Sequence, residues 1–141
     1  MLGAPQDVDD IVHDTFLQVQ RGLPKLREPA ALKPWIATIT VRVTRRQLRR
    51  ARARRLFQHA SAPSLDAVAS SSMSREDYEF LHGVYAALER LSANERIAWA
   101  LRRVHGARLA TVAEMCECSL ATVKRRVASA DRKLERWMES R

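Results

Sequence analysis

Residues 109–137 read LATVAEMCECSLATVKRRVASADRKLERW, and their punctuation decides the fold. Leu109 to Cys116 has the length of a short helix. Glu117 and Cys118 leave room only for a tight turn, and Ser119 is a residue type that caps helix N-termini through its side-chain oxygen. A long basic helix is expected to follow. In it Leu120, Val123, Val127, Ala130, Leu134 and Trp137 recur at alternating spacings of three and four and so form one apolar face. Lys124, Arg125, Ala128, Ser129 and Arg132 fall outside that face. A short helix, a tight turn and a long basic helix make the helix-turn-helix plan, although a plain helical hairpin with a solvated basic face has the same pattern.

Working upstream, Ser92-Ala93-Asn94-Glu95 is a capping box: the serine oxygen serves the Glu95 amide and the Glu95 carboxylate reaches back to the Ser92 amide. Ile97, Ala100, Leu101 and Val104 are expected to continue that helix to a C-cap at Gly106. Before it, Tyr78, Leu81, Tyr85 and Leu88 repeat at helical spacing. Residues His59 to Ser74 hold six serines, Pro63 and a single charge, Asp66, with no periodicity, and read as a flexible linker.

Upstream of the linker, local signals compete. Ile39, Val41 and Val43 alternate with Thr38, Thr40, Arg42 and Thr44 as in a strand. Leu32, Trp35, Ile36, Ile39 and Val43 equally fit one helical face, and the arginine-rich continuation leans toward helix. An earlier helix is expected to be capped by Asp7, with Val8, Ile11, Val12, Phe16 and Val19 on one face and Asp9, Asp10, His13 and Asp14 on the other. Gly22 and Pro24 end it. The expected fold is therefore all-α: two small helical domains joined by a flexible linker, the C-terminal one a helix-turn-helix. The boundaries are 1–58, 59–74 and 75–141.

The chain has 141 residues, and its 25 Lys and Arg outnumber 16 Asp and Glu for a net charge of +9. A chain this basic is expected to meet a polyanion, most often nucleic acid. There is no apolar run long enough for a membrane span and no signal-peptide pattern, so a cytoplasmic location without membrane insertion is expected. Cys116 and Cys118 sit too close in sequence for an ordinary structural disulfide. With His105 they are candidate soft metal ligands, but a single Cys-x-Cys is a weak metal signal, and they read better as small apolar side chains. No nucleophile–base pairing, phosphate loop or paired-carboxylate motif points to an enzyme, and no cofactor or metal is expected.

Leu88-Glu89-Arg90-Leu91-Ser92, Glu95-Arg96, Val112-Ala113-Glu114-Met115 and Ser119-Leu120-Ala121-Thr122-Val123-Lys124-Arg125-Arg126 together resemble the C-terminal domain of extracytoplasmic-function sigma factors. Asp7-Val8-Asp9-Asp10-Ile11-Val12-His13-Asp14-Thr15-Phe16-Leu17 is similar to the signature helix of the same family's N-terminal domain. Pro34-Trp35-Ile36 and the arginine run that follows resemble its melting and −10-reading helix. The resemblance implies that residues 39–44 are helical. It implies a protein that joins RNA polymerase core and directs promoter-specific initiation. Asp9, Asp10, His13 and Asp14 would meet the β′ clamp helices. Trp35, Thr38, Arg42, Arg45, Arg46, Arg49 and Arg50 would lie along −10 DNA. Ser119, Ala121, Thr122, Lys124, Arg125, Ala128, Ser129 and Arg132 would address the −35 major groove, and the helices from Tyr78 to Val104 would seat the domain on the β flap. An anti-sigma factor would be a further partner.

The chain departs from the family pattern in three places. The family carries another helical stretch that packs on the signature helix. Here only six residues precede Asp7, so the apolar side chains of the first helix are expected to lack some of their cover. Arg42 stands where asparagine is common, and Glu117 where a turn glycine is common. A positive φ at Glu117 would cost about 1 kcal/mol. The competing expectation is a helix-turn-helix regulator, or a reduced accessory protein of sigma type that does not initiate alone.

Overall fold

The computed structural model describes residues 5–58 and 73–140. Its elements are α1 (Pro5–Gly22), two short 3-10 turns (Leu23–Lys25 and Pro29–Ala31), α2 (Leu32–Gln58), α3 (Arg75–Glu89), α4 (Ala93–Trp99), α5 (Leu109–Cys116) and α6 (Leu120–Glu139). The chain is all-helical over the described residues. Most of the expected linker, residues 59–72, lies outside them.

α1 begins at Pro5, so Asp7 sits inside its first turn instead of capping it. Proline suits that start, because its ring fixes a helical φ and the amide it lacks would have had no helical partner. The expected single apolar face of α1 divides. Ile11 is buried against Ile39 and Val43 of α2, with Val19 and Trp35 packed around them. Val8, Val12 and Phe16 face solvent, Phe16 being 66% exposed. At the end of α1, Gly22 lies under the Trp35 indole, where an added Cβ would stand 2.6 Å from Cζ2. Any larger residue there would force the ring away.

The strand-like alternation in residues 39–44 has a helical explanation. At 100° per residue, Ile39 and Val43 lie within about 40° of each other. Val41 and Leu48 share a direction on nearly the opposite side. Ile39 and Val43 pack on α1, while Val41 and Leu48 enter a second core with Ile97, Ala98, Val112, Cys116, Val123 and Val127. α2 is thus buried on two sides. The period of two arises because successive apolar residues serve different neighbours. The two helical units share this core, with α2 touching both α4 and α5.

Within the C-terminal unit, Ser74, Ser92 and Ser119 cap α3, α4 and α6, and both hydrogen bonds of the capping box at Ser92 are formed. α4 continues through a π turn, Ala100–Val104, marked by a 3.0 Å bond from the His105 amide to the Ala100 carbonyl. The wider turn carries Val104 off the expected apolar face, and it ends 70% exposed. Gly106 follows with φ +69°, the left-handed conformation that closes many helices. α3 and α6 approach closely at Gly83, where a Cβ would meet Trp137 Cζ2 at 2.7 Å.

A helix-turn-helix facing an arginine-lined helix

α5, its turn and α6 form the motif. Val112, Val123 and Ala130 are fully buried, and Val127 nearly so. Leu120, expected on this face, is 43% exposed: in the first turn of α6 it has no layer above it. Lys124, Arg125, Ala121 and Ala128 project into solvent from the first turns of α6. A second group of expected reading residues is already engaged inside the protein. Ser119 Oγ accepts the Thr122 amide at 3.1 Å and bonds the Thr122 hydroxyl at 2.9 Å. Ser129, expected outward, is half-buried and donates to Glu95 Oε1 at 2.6 Å. Lys133 closes on the same carboxylate at 2.8 and 2.9 Å. Arg132 is exposed, and its carbonyl accepts from Arg136 at 3.2 Å.

Glu95 is therefore a hub joining the start of α4 to the middle of α6. Burial by itself would raise its pKa. Hydrogen bonds from Lys133, Ser129 and Ser92 outweigh burial and hold it at about 2. Asp131 forms a second tie between the same helices, accepting from Trp99 Nε1 at 3.0 Å and from Arg103 at 2.7 Å. These two carboxylates fix the angle at which α6 presents its basic face.

Arg42 to Arg55 of α2 contain eight arginines and no acid. Arg42, Arg46, Arg49 and Arg50 are exposed, while Arg45 is half-buried. Arg42, Arg45, Arg46 and Arg49 occupy the strip of α2 between its two buried faces, while Arg50 lies in the direction of Ile39 and Val43. The turn of the helix-turn-helix reaches the near end of this strip. Glu117 adopts φ 53°, ψ 49°, the left-handed conformation in which glycine has no Cβ penalty. From there its carboxylate forms a two-pronged ion pair with Arg42. That contact draws the Glu117 pKa below the usual carboxylate range and raises that of the guanidinium. Arg45 donates to the Cys116 carbonyl at 3.1 Å, and its Nε is buried with no hydrogen-bond partner among the described residues. An unsatisfied buried donor costs about 1–3 kcal/mol. Arg46 pairs with Asp14 of α1 at 3.1 Å.

Of the remaining expected site residues, Trp35 is half-buried over Gly22, and Thr38 Oγ1 donates to the Pro34 carbonyl at 3.0 Å. Asp9, Asp10 and His13 are exposed on α1. Neither the Arg42–Glu117 pair nor the Arg45–Cys116 bond was among the sequence expectations: each spans more than 70 residues of chain, and no local pattern signals it. Cys116 is buried, and that burial pushes its thiol pKa up. Cys118 Sγ lies 3.4 Å from Arg126 Nη1. Among the described residues no three His, Cys, Asp or Glu side chains converge as metal ligands. No helix there is long and apolar enough to cross a membrane.

Comparison with known proteins accounts for both units. The family model for Sigma-70 region 2 matches residues 1–54, and the model for Sigma-70, region 4 matches residues 81–134. The ECF RNA polymerase sigma factor SigM of Mycobacterium tuberculosis is 32% identical over 133 residues, which is 94% of this chain and 65% of that protein. The probable RNA polymerase sigma-C factor of Mycobacterium bovis is 25% identical over 122 residues, covering 86% of this chain and 65% of its own length. The chain thus spans 65% of the length of these curated relatives. The fold also matches that of the sigma factor RpoE from Bartonella quintana, solved in complex with the anti-sigma factor NepR. The TM-score is 0.69 at 24% identity, over 98% of this chain and 84% of that one. Two helical units, each answering to a different region of one family and in that family's order, show that the chain belongs to the sigma-70 family of RNA polymerase sigma factors, on its extracytoplasmic-function (ECF) branch.

Proposed function

We propose that this protein acts as a sigma factor, binding RNA polymerase core and directing it to promoters without catalytic chemistry of its own. In this reading residues 1–58 form region 2, 59–74 the linker and 75–141 region 4. The observation that carries the proposal is the free basic face of α6. Val123 and Val127 are buried, which leaves Lys124 and Arg125 clear in the stretch of a recognition helix that enters the major groove. They would read −35 base edges, with Ala121, Thr122, Ala128 and Arg132 beside them. Ser119 and Ser129 would act chiefly by fixing the helix. Arg49 and Arg50 would grip −10 DNA directly. Arg42, Arg45 and Arg46 would join them once their internal partners are released, and Trp35 and Thr38 would shape that end of α2. Asp9, Asp10, His13 and Asp14 would dock on the β′ clamp helices, and α3–α4 on the β flap.

The packed arrangement adds a condition. Arg42 and Arg45 cannot hold the Glu117–Cys116 turn and DNA phosphates together, so promoter engagement would open the seam between the units. An anti-sigma factor, like the one in the RpoE structure, would be the natural competitor for those surfaces. All these partners place the protein in the cytoplasm. The reading is tested by binding-site selection on the full chain. Arg125→Ala should relax preference at one or two −35 base pairs, because a good bidentate contact discriminates by about 1–3 kcal/mol. A folded Arg125→Ala, Lys124→Ala double variant that keeps the parental preference would remove α6 as the reader.

A further inference from the structure

Two to three turns beyond Arg42, α2 passes the corner between α3 and α4, and the two units leave a cleft of about 480 Å³ between them. Small-molecule sites fall in a range of roughly 300–1,000 Å³. Arg49, Arg52 and Arg55 of α2 line one side, and Arg90 and Arg96 the other. With Glu89 and Asp7 as the acids in the lining, positive charge is in excess by three. The imbalance reaches into the wall. Glu89 pairs with Arg55 at 2.6 Å, and the same carboxylate acts on the buried Arg96, against which Arg55 also pushes. Arg52 and Arg90 are exposed. A guanidinium presents a planar fork that matches phosphate oxygens two at a time. A concave surface with several such forks fits an anion bearing many oxygens better than it fits an isolated carboxylate.

We infer that this cleft binds a small phosphate-bearing molecule, with Arg52 and Arg90 gripping it from opposite sides above the Arg55–Glu89 pair. Neither gripping arginine is among the residues proposed above to contact DNA, although Arg49 of the lining is. Because the walls come from both units, such a ligand would hold them together by linkage.

The test is calorimetric titration of the full chain with inorganic tripolyphosphate at physiological salt, with a short non-specific DNA duplex as a second probe. Saturable one-to-one binding of tripolyphosphate is expected, with a rise in thermal midpoint. Arg52→Gln and Arg90→Gln should each weaken it about tenfold, the loss of one charge-assisted hydrogen bond. Arg75→Gln removes the same charge from an exposed side chain outside the cleft and should leave the affinity unchanged; circular dichroism checks folding. Duplex binding that ignores Arg52→Gln and Arg90→Gln supports a free ligand. Three results overturn the inference: no saturable tripolyphosphate binding, equal weakening by Arg75→Gln, or duplex binding that is weakened by Arg52→Gln and Arg90→Gln as much as tripolyphosphate binding is.

Discussion

Replacing Glu95 by glutamine removes one charge from the hub that joins α4 to α6 and leaves its shape in place. The glutamine oxygen can still accept from the Ser92 amide at the Oε2 position, so the cap survives; its NH2 then takes the Oε1 position, where Ser129 has to turn to accept, and the ion pair with Lys133 is lost. A carboxylate held at about 2 instead of 4.5 corresponds to at most ~3.5 kcal/mol, taking about 1.4 kcal/mol per pH unit. Lys133 is 39% exposed, and solvent screening reduces the value to about 1–2 kcal/mol. Because the folded pKa lies below the unfolded one, this stability is fully present above pH 4.5 and is lost as pH falls from there toward 2. Urea denaturation at a series of pH values measures it. At pH 7, Glu95→Gln should lower the midpoint by roughly 0.5–1 M, given an m-value of about 2 kcal/mol/M. The gap between the two proteins should close through pH 4 and 3. A gap of constant size over that range would refute the assignment of Glu95 as the charged tie.

Three further outcomes are expected. Glu117→Gly should be more stable than Glu117→Ala by about 1 kcal/mol, since both remove the carboxylate that pairs with Arg42 and only glycine relieves the left-handed φ; equal thermal midpoints would mean that the turn is unstrained. Arg49→Gln, Arg50→Gln should flatten the salt dependence of duplex binding by roughly 1.8 on a log–log plot, at about 0.9 per phosphate contact, and an unchanged slope would return these arginines to solvent. Asp10→Lys should reduce copurification with core polymerase while leaving duplex binding intact. Asp10 is the cleaner site to change than Asp14, which is tied to Arg46, and undiminished copurification would move the docking surface off α1.

What could be read in advance follows the range of the interactions. The capping box at Ser92, the cap at Ser119 and the bounds of α5 depend on neighbours a few residues away, and the structure contains them. The two-sided burial of α2 was hidden, because Val41 and Leu48 are apolar for the sake of α4–α6 and not of α1. Taken without that partner, their spacing imitates a strand. The same holds for the site. The basic face of α6 is periodic and therefore legible. The pairings that remove Arg42, Arg45 and Ser129 from it or from its counterpart on α2 are long-range, and they change what those residues are free to touch. Val8, Val12 and Phe16 belong to the first-helix face that was expected to lack some of its cover, and the described residues leave them exposed.

Run-off transcription shows whether this chain brings polymerase to promoters, as proposed. Bacterial core polymerase is mixed with the protein and a library of promoter fragments, and the transcripts are sequenced. The expected result is discrete starts downstream of one recurring −35 and −10 pair, with the −35 preference relaxed by Arg125→Ala. Fragments bound by the protein but yielding no transcript above core polymerase alone would contradict it and leave a DNA-binding regulator in its place.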